Sequence, residues 1–255
     1  MHYYSFFYKP SLNTDMIVNP STSSCAEDEV PWVEWSCLVD RTLAKDVRPF
    51  LLYRATLVTP DAGRDEVEIY LSPSPRHEAL VLQELGSMTG VPRLYGITKP
   101  GTETLVLGHT KGLTLDYWLD EGQTVISMTA LLHVCKIISR MHHLGISYGN
   151  LSVTNILVGF EESGHLDVSL LGFHRAKRNA TEEDFKTDED QMYRLIKDII
   201  EDVKEESFIN IRDELRQFFE DMVGALTLVE TVLVLCGFLN NHPNGLIPPY
   251  HPRNP

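Results

Sequence analysis

In this 255-residue chain, the polar groups spaced for chemistry lie between Met141 and Val158, MHHLGISYGNLSVTNILV. Asn150 and Asn155 stand between a helix end and the short apolar run Ile156, Leu157, Val158. An asparagine amide hydrogen-bonds but has no carboxylate to take a proton, so Asn150 is no general base. Asn155 offers one neutral oxygen, a poor magnesium site, and is the residual metal candidate. His133, His142 and His143 sit on or beside the preceding helix with no carboxylate or cysteine at metal-ligand spacing. Cys25, Cys37, Cys135 and Cys236 form no C-x-x-C pair and read as reduced thiols. No metal is expected, and Asn155 is expected to hydrogen-bond the backbone of its own loop.

The elements that must position this stretch follow from periodicity. Met128, Leu131, Leu132, Cys135, Ile138 and Met141 recur at intervals of three and four, which predicts a helix from Ser127 to His143 with one buried face. Glu66 to Leu71 alternates as a strand, Arg76 to Leu85 reads as a helix, and Val91 to Ile97 and Leu105 to Leu107 read as two more strands. The segment from Phe173 to Asp190 opens basic with Arg175, Lys177 and Arg178. It then turns acidic through Glu182, Glu183, Asp184, Asp188 and Asp190, the composition of a solvated loop. Met192, Leu195, Ile196, Ile199 and Val203 predict a following helix, and Ile211 to Val223 and Thr227 to Leu239 two closing ones.

The order and spacing of these segments resemble the protein kinase superfamily. Met141 to Val158 is similar to the kinase catalytic loop, H-R-D-L-x-x-x-N between a helix end and a strand, with Tyr148, Gly149 and Asn150 in place of His-Arg-Asp. A Gly-Asn pair there also resembles the pseudokinase domains of Janus kinases and of some plant receptor-like kinases. Val67 to Tyr70 falls where V-A-I-K would fall, with Tyr70 at the lysine, and no lysine occurs between Lys45 and Lys99. Only Arg64 or Arg76, folded inward, would replace that cation. Glu78 matches the helix glutamate that would pair with the lysine; without it, Glu78 has no obvious partner and alternatively is a solvated carboxylate. The glycine loop over ATP would fall between Leu43 and Ala55, yet no glycine precedes Gly63, and Ala44, Asp46 and Pro49 take its places. Leu170, Leu171 and Gly172 read as the D-F-G triplet, which puts leucine at the magnesium-binding aspartate. No A-P-E follows, and Gly149 removes the arginine that would clamp a phosphorylated activation loop.

The resemblance implies an α+β, two-lobed fold with a small antiparallel-sheet lobe and a mainly helical one. Its boundaries are an N-terminal extension at 1–40, docked by Trp32 and Trp35, an N-lobe at 41–107, a C-lobe at 108–239 and a proline-rich tail at 240–255. It implies no catalytic residue, the degenerate positions being Tyr70, Asn150 and Leu170. A nucleotide cleft would be lined by Glu78, the gatekeeper Leu107, the hinge residues Gly108 and His109, and Asn155. That cleft is either open or filled by Tyr70, Leu107 and Leu170.

A formal charge of −14 disfavours nucleic acid and anionic lipid as partners. The apolar run Met222 to Leu239 carries Glu230 near its middle and reads as a buried helix, so no membrane span and no signal peptide are expected. A cytoplasmic pseudokinase with no cofactor, binding a protein partner such as an active kinase, fits these features. The alternative is an atypical ATP-binding protein kinase or nucleotide transferase using ATP and Mg²⁺ through Glu78, Asn155, Arg175 and Lys177; a third reading is a small-molecule sensor using the apolar cleft.

Overall fold

The computed structural model describes residues 30–44, 51–59, 63–99 and 101–202, with isolated positions between 213 and 237. The expected closing helices lie largely outside these residues. So do the proline-rich tail, Cys25, and Asp46 and Pro49 of the glycine-loop equivalent.

The first lobe is a six-stranded sheet. Its strands are β1 (Trp32–Glu34), β2 (Leu38–Leu43), β3 (Leu51–Thr59), β4 (Gly63–Tyr70), β5 (Leu94–Lys99) and β6 (Leu105–Gly108), in the order β1-β5-β6-β4-β3-β2. Neighbours pair antiparallel, as expected, except β1 with β5 at one edge, which is parallel. Residues 32–40 were expected to belong to an extension, but they supply β1 and the start of β2. Alternation along β4 sends Val67 and Ile69 to one face, where they pack with Val33, Leu38, Ala55, Leu57 and Val106. Tyr70, Leu105 and Leu107 face the main core instead. The helix α1 (Pro75–Leu85) carries proline at its start and Glu78 in its first turn, both suited to a helix N-terminus, and buries Ala79, Val81, Leu82 and Leu85.

The second lobe follows through the two-residue strand β7 (Leu113–Thr114), α2 (Leu115–Asp120) and α3 (Thr124–His143). Met128, Leu131, Cys135, Ile138 and Met141 are all buried along α3, as their spacing predicts. Next come β8 (Ile146–Ser147), the hairpin of β9 (Ile156–Phe160) and β10 (Leu166–Leu170), β11 (Lys177–Arg178) and α4 (Glu182–Asp202). The acidic run expected to be a solvated loop is thus the first half of α4. Thr181 caps that helix: its hydroxyl donates to Asp184 at 2.8 Å and accepts from the Asp184 amide at 3.3 Å. The carboxylates of the first turn lie at the positive end of the helix dipole.

Gly96 is where the edge strand docks most tightly. Its φ is +148°, and a Cβ there would stand 2.4 Å from the Pro31 carbonyl oxygen, whose bond to the Ile97 amide starts the β1–β5 pairing. Gly96→Ala is expected to lower stability by about 1 to 3 kcal/mol through this overpacking, read as a drop in melting temperature with an otherwise cooperative transition.

Candidate functional site

The asparagine loop is held from below by one carboxylate. Asp188 is fully buried on α4 and accepts from the Tyr148 amide at 2.8 Å, the Gly149 amide at 2.6 Å and His142 Nε2 at 2.9 Å. Gln191, one turn further on, takes the Leu151 amide at 3.0 Å. The loop also closes on itself. Asn155 Nδ2 donates to the Asn150 carbonyl at 2.9 Å, as expected for Asn155, and the Asn155 carbonyl accepts from the Leu171 amide at 2.9 Å. Asn150 Nδ2 donates across to the Gly172 carbonyl at 2.7 Å. Tyr148 is buried, with its hydroxyl on the Leu171 carbonyl and its ring edge-on to Phe173 at 5.2 Å. Burial, with Glu78 and Asp188 nearby, pushes the tyrosine pKa well above its ordinary range, so its hydroxyl stays a donor.

Glu78 faces this loop from α1 and is buried rather than solvated. The Ser72 hydroxyl donates to it at 2.6 Å and the Phe173 amide at 2.7 Å. Burial pushes its pKa up, while the two hydrogen bonds pull the other way. Tyr70 is also buried and turns its hydroxyl to Glu68 at 3.1 Å. Neither candidate cation enters: Arg64 pairs with Asp40 at 3.2 Å on the surface, and Arg76 pairs with Glu103 at 2.7 Å and lies over Trp32. Arg175 is exposed, and Lys177 pairs with Asp184 at 2.5 Å against α4. The cavity between the lobes, lined by Tyr70, Ser72, Glu78, Leu107, Asn155 and Gly172 among others, measures about 20 Å³. Ligand pockets run roughly 300 to 1,000 Å³, so this one has room for about one water.

Comparison with known proteins bears on this geometry. The family model described as "Lipopolysaccharide kinase (Kdo/WaaP) family" matches residues 114–211, a stretch that holds the asparagine loop, Gly172 and α4 but is under half of the chain. No curated protein matches. Solved structures that match include one titled "Crystal structure of Rad53 kinase domain and SCD2", at 21% identity and a TM-score of 0.46. That match covers 63% of this chain and 63% of the other, so the chain spans less than two thirds of that structure's length. The two-lobed α+β architecture, an antiparallel-rich sheet lobe followed by a mainly helical one, is the fold class expected from the sequence.

Within the kinase-like fold the D-F-G register needs correction. An aspartate that holds magnesium with Asn155 must face Asn155, but Leu170 is a fully buried strand residue paired with Ile156. Gly172 lines the cleft, and a Cβ on it would stand 3.7 Å from Asn155 Oδ1. Gly172, Phe173 and His174 therefore occupy the D-F-G places, with the phenylalanine retained and buried. The metal position is still without an oxygen ligand, now because it is glycine. Leu107 and Gly108, expected at the gatekeeper and hinge, lie on β6 beside β4. Two residues escaped notice in the sequence: Glu68, which lies among strand residues, and Asp188, which lies in a run of surface-like charge. The T-x-x-D cap at Thr181 was the signal that this run is helical.

Asp188→Ala strips a buried acceptor from three donors at once and is expected to cost about 3 kcal/mol, measured by urea unfolding. Glu78 gives a pH test. Its folded pKa is raised above the ordinary 4.5, so the folded chain binds this proton more readily than the unfolded one. Its contribution to stability is largest below about 4.5 and is lost as pH rises through the folded value. The stability of the wild type relative to Glu78→Gln should therefore improve as pH falls from about 8 toward 5, read from paired thermal melts.

Proposed function

We propose that this chain is a catalytically inactive kinase-fold protein that acts by binding a protein partner, as scaffold, decoy or allosteric regulator, with an active kinase as the partner class. The observation that carries this reading is the cleft between Glu78 and Asn155. The general base, the magnesium aspartate and the lysine are replaced there, and the two groups that remain, Glu78 and Asn155, hydrogen-bond within the chain. Asn150, in the general base's place, donates to Gly172; Gly172 replaces the magnesium aspartate; Tyr70 replaces the lysine; and Glu78 is occupied by Ser72 and Phe173. Loss of a general base alone lowers rate by roughly 10² to 10⁴. Phosphoryl transfer relies chiefly on positioning and charge neutralisation, for which the described residues lining this cleft offer neither cation nor carboxylate pair. Among the described residues no helix is long and apolar enough to cross a membrane, and a cytoplasmic location suits the reduced cysteines.

One observation favours the second reading, an atypical ATP-binding kinase or nucleotide transferase: the family model matching residues 114–211 is named for lipopolysaccharide kinases. Thermal unfolding with ATP, with and without Mg²⁺, separates the two. A ligand at 100 times its Kd adds about 2.7 kcal/mol, which moves the melting temperature by several degrees at this size. The expected result is no shift under either condition, and no phosphate transferred to the chain itself or to a generic substrate. A magnesium-dependent shift, abolished in Asn155→Ala, would replace the inactive reading with the enzymatic one. Recovery of the chain from its native cells is expected to bring a stable protein partner with it; repeated recovery alone counts against the partner-binding role.

A further inference from the structure

Glu68 is a completely buried carboxylate on the cleft side of β4, and the loss of phosphate chemistry does not account for it. It stands in Val67-Glu68-Ile69-Tyr70, where the V-A-I-K pattern has alanine. Cross-strand registers place it opposite Leu107 on β6 and Arg54 on β3, at the mouth of the hinge. Its carboxylate gathers donors from three elements: His109 Nδ1 at 3.0 Å, the Thr110 amide at 3.4 Å and Arg54 Nε at 3.5 Å, with the Tyr70 hydroxyl from its own strand at 3.1 Å. The Thr110 hydroxyl in turn donates to the Gly108 carbonyl at 3.4 Å. The hinge peptide groups positioned to meet a flat heterocycle are thereby engaged from inside the chain. A buried carboxylate without partners would be strongly destabilising; partners on the hinge and on two strands tie these elements together as a bound base would.

We propose that Glu68 is an internal ligand of the hinge, filling the end of the cleft that a purine base would take and excluding it. This deepens the inactive reading and rests on it only for the position of the cleft. Glu68 is a specificity-determining residue here, and Glu68→Ala restores the small side chain that leaves a base room.

The experiment uses adenosine, which has no phosphate and so reports on the base site independently of the magnesium and lysine positions. Calorimetric titration of the full chain is expected to detect no saturable adenosine binding by the wild type. Glu68→Ala is expected to bind at least about 10-fold more tightly than any wild-type affinity, with the Thr110 amide resonance shifting on titration. Glu68→Gln, which keeps the bulk and can still accept from the hinge, should behave as the wild type. Wild-type binding equal to that of Glu68→Ala overturns the proposal, and so does a folded Glu68→Ala that binds no adenosine. Should Glu68→Ala fail to fold, hydrogen exchange in the wild type decides. A Thr110 amide protected at least about 100-fold over a free peptide supports the internal contact, and exchange at the free-peptide rate overturns it. A magnesium-dependent shift with ATP, abolished in Asn155→Ala, beside no adenosine binding by the wild type would sink the inactive reading and leave this one standing.

Discussion

Asp188 is the contact on which the centre of this molecule depends. A carboxylate shut away from water at one turn of α4 is tolerable only when its oxygens are surrounded by donors, and the chain supplies two successive backbone amides and a histidine. Those amides belong to Tyr148 and Gly149, so the loop they begin is fixed in both position and direction. Asn150 and Asn155 then continue the chain of hydrogen bonds into the segment after β10. A loop built in this way needs neither metal nor nucleotide to keep its shape. The side chains of Asn150 and Asn155 are themselves part of that scaffolding.

The substitutions in the cleft are mutually adjusted. With no lysine on β4, a buried glutamate on α1 would be an uncompensated charge, yet Glu78 accepts from a serine hydroxyl and a backbone amide at distances typical of charge-assisted bonds. The Phe173 bond links α1 to the segment after β10, and an ion pair between Glu84 on α1 and Arg178 on β11 holds the same two parts together. Tyr70 fills the lysine's place with apolar bulk and uses its hydroxyl on Glu68. Each replacement satisfies what the missing charge would have left open, the condition under which a buried polar network stabilises rather than weakens a core.

Much of this was legible in the sequence. The spacing of apolar residues along α3 and the asparagine loop gave the second lobe, and strand alternation with the Arg76 to Leu85 helix gave the first. The failures have specific causes. The D-F-G register was anchored on Gly172, because glycine is the most distinctive letter of that triplet. In the structure the phenylalanine at the centre of the contacts is Phe173, whose ring packs on Tyr148 and whose amide meets Glu78. The acidic run looked solvated because charge composition dominates a short window, whereas burial of the single residue Asp188 depends on a three-dimensional partner no window contains. Glu68 is hidden for the same reason: in a strand it counts as one polar letter, and apart from Tyr70 on its own strand the partners named here lie 14 to 42 positions away in the chain.

Asn150 and Gly172 are interlocked. Gly172 has φ of +73°, in the left-handed region that a side chain adopts only at a cost, and a Cβ there would meet Asn150 Nδ2 at 2.9 Å. Asn150 in turn holds the loop by donating to the Gly172 carbonyl, which an aspartate at 150 cannot do once ionised. A carboxylate at either position therefore conflicts with the present residue at the other: one on steric and backbone grounds, the other through repulsion between carboxylate and carbonyl oxygens. Placing carboxylates at both positions would require the local backbone to change as well, and would still leave Tyr70 buried beside Glu68. Asn150 and Gly172, joined by their hydrogen bond, thus form a packed arrangement with its own stability.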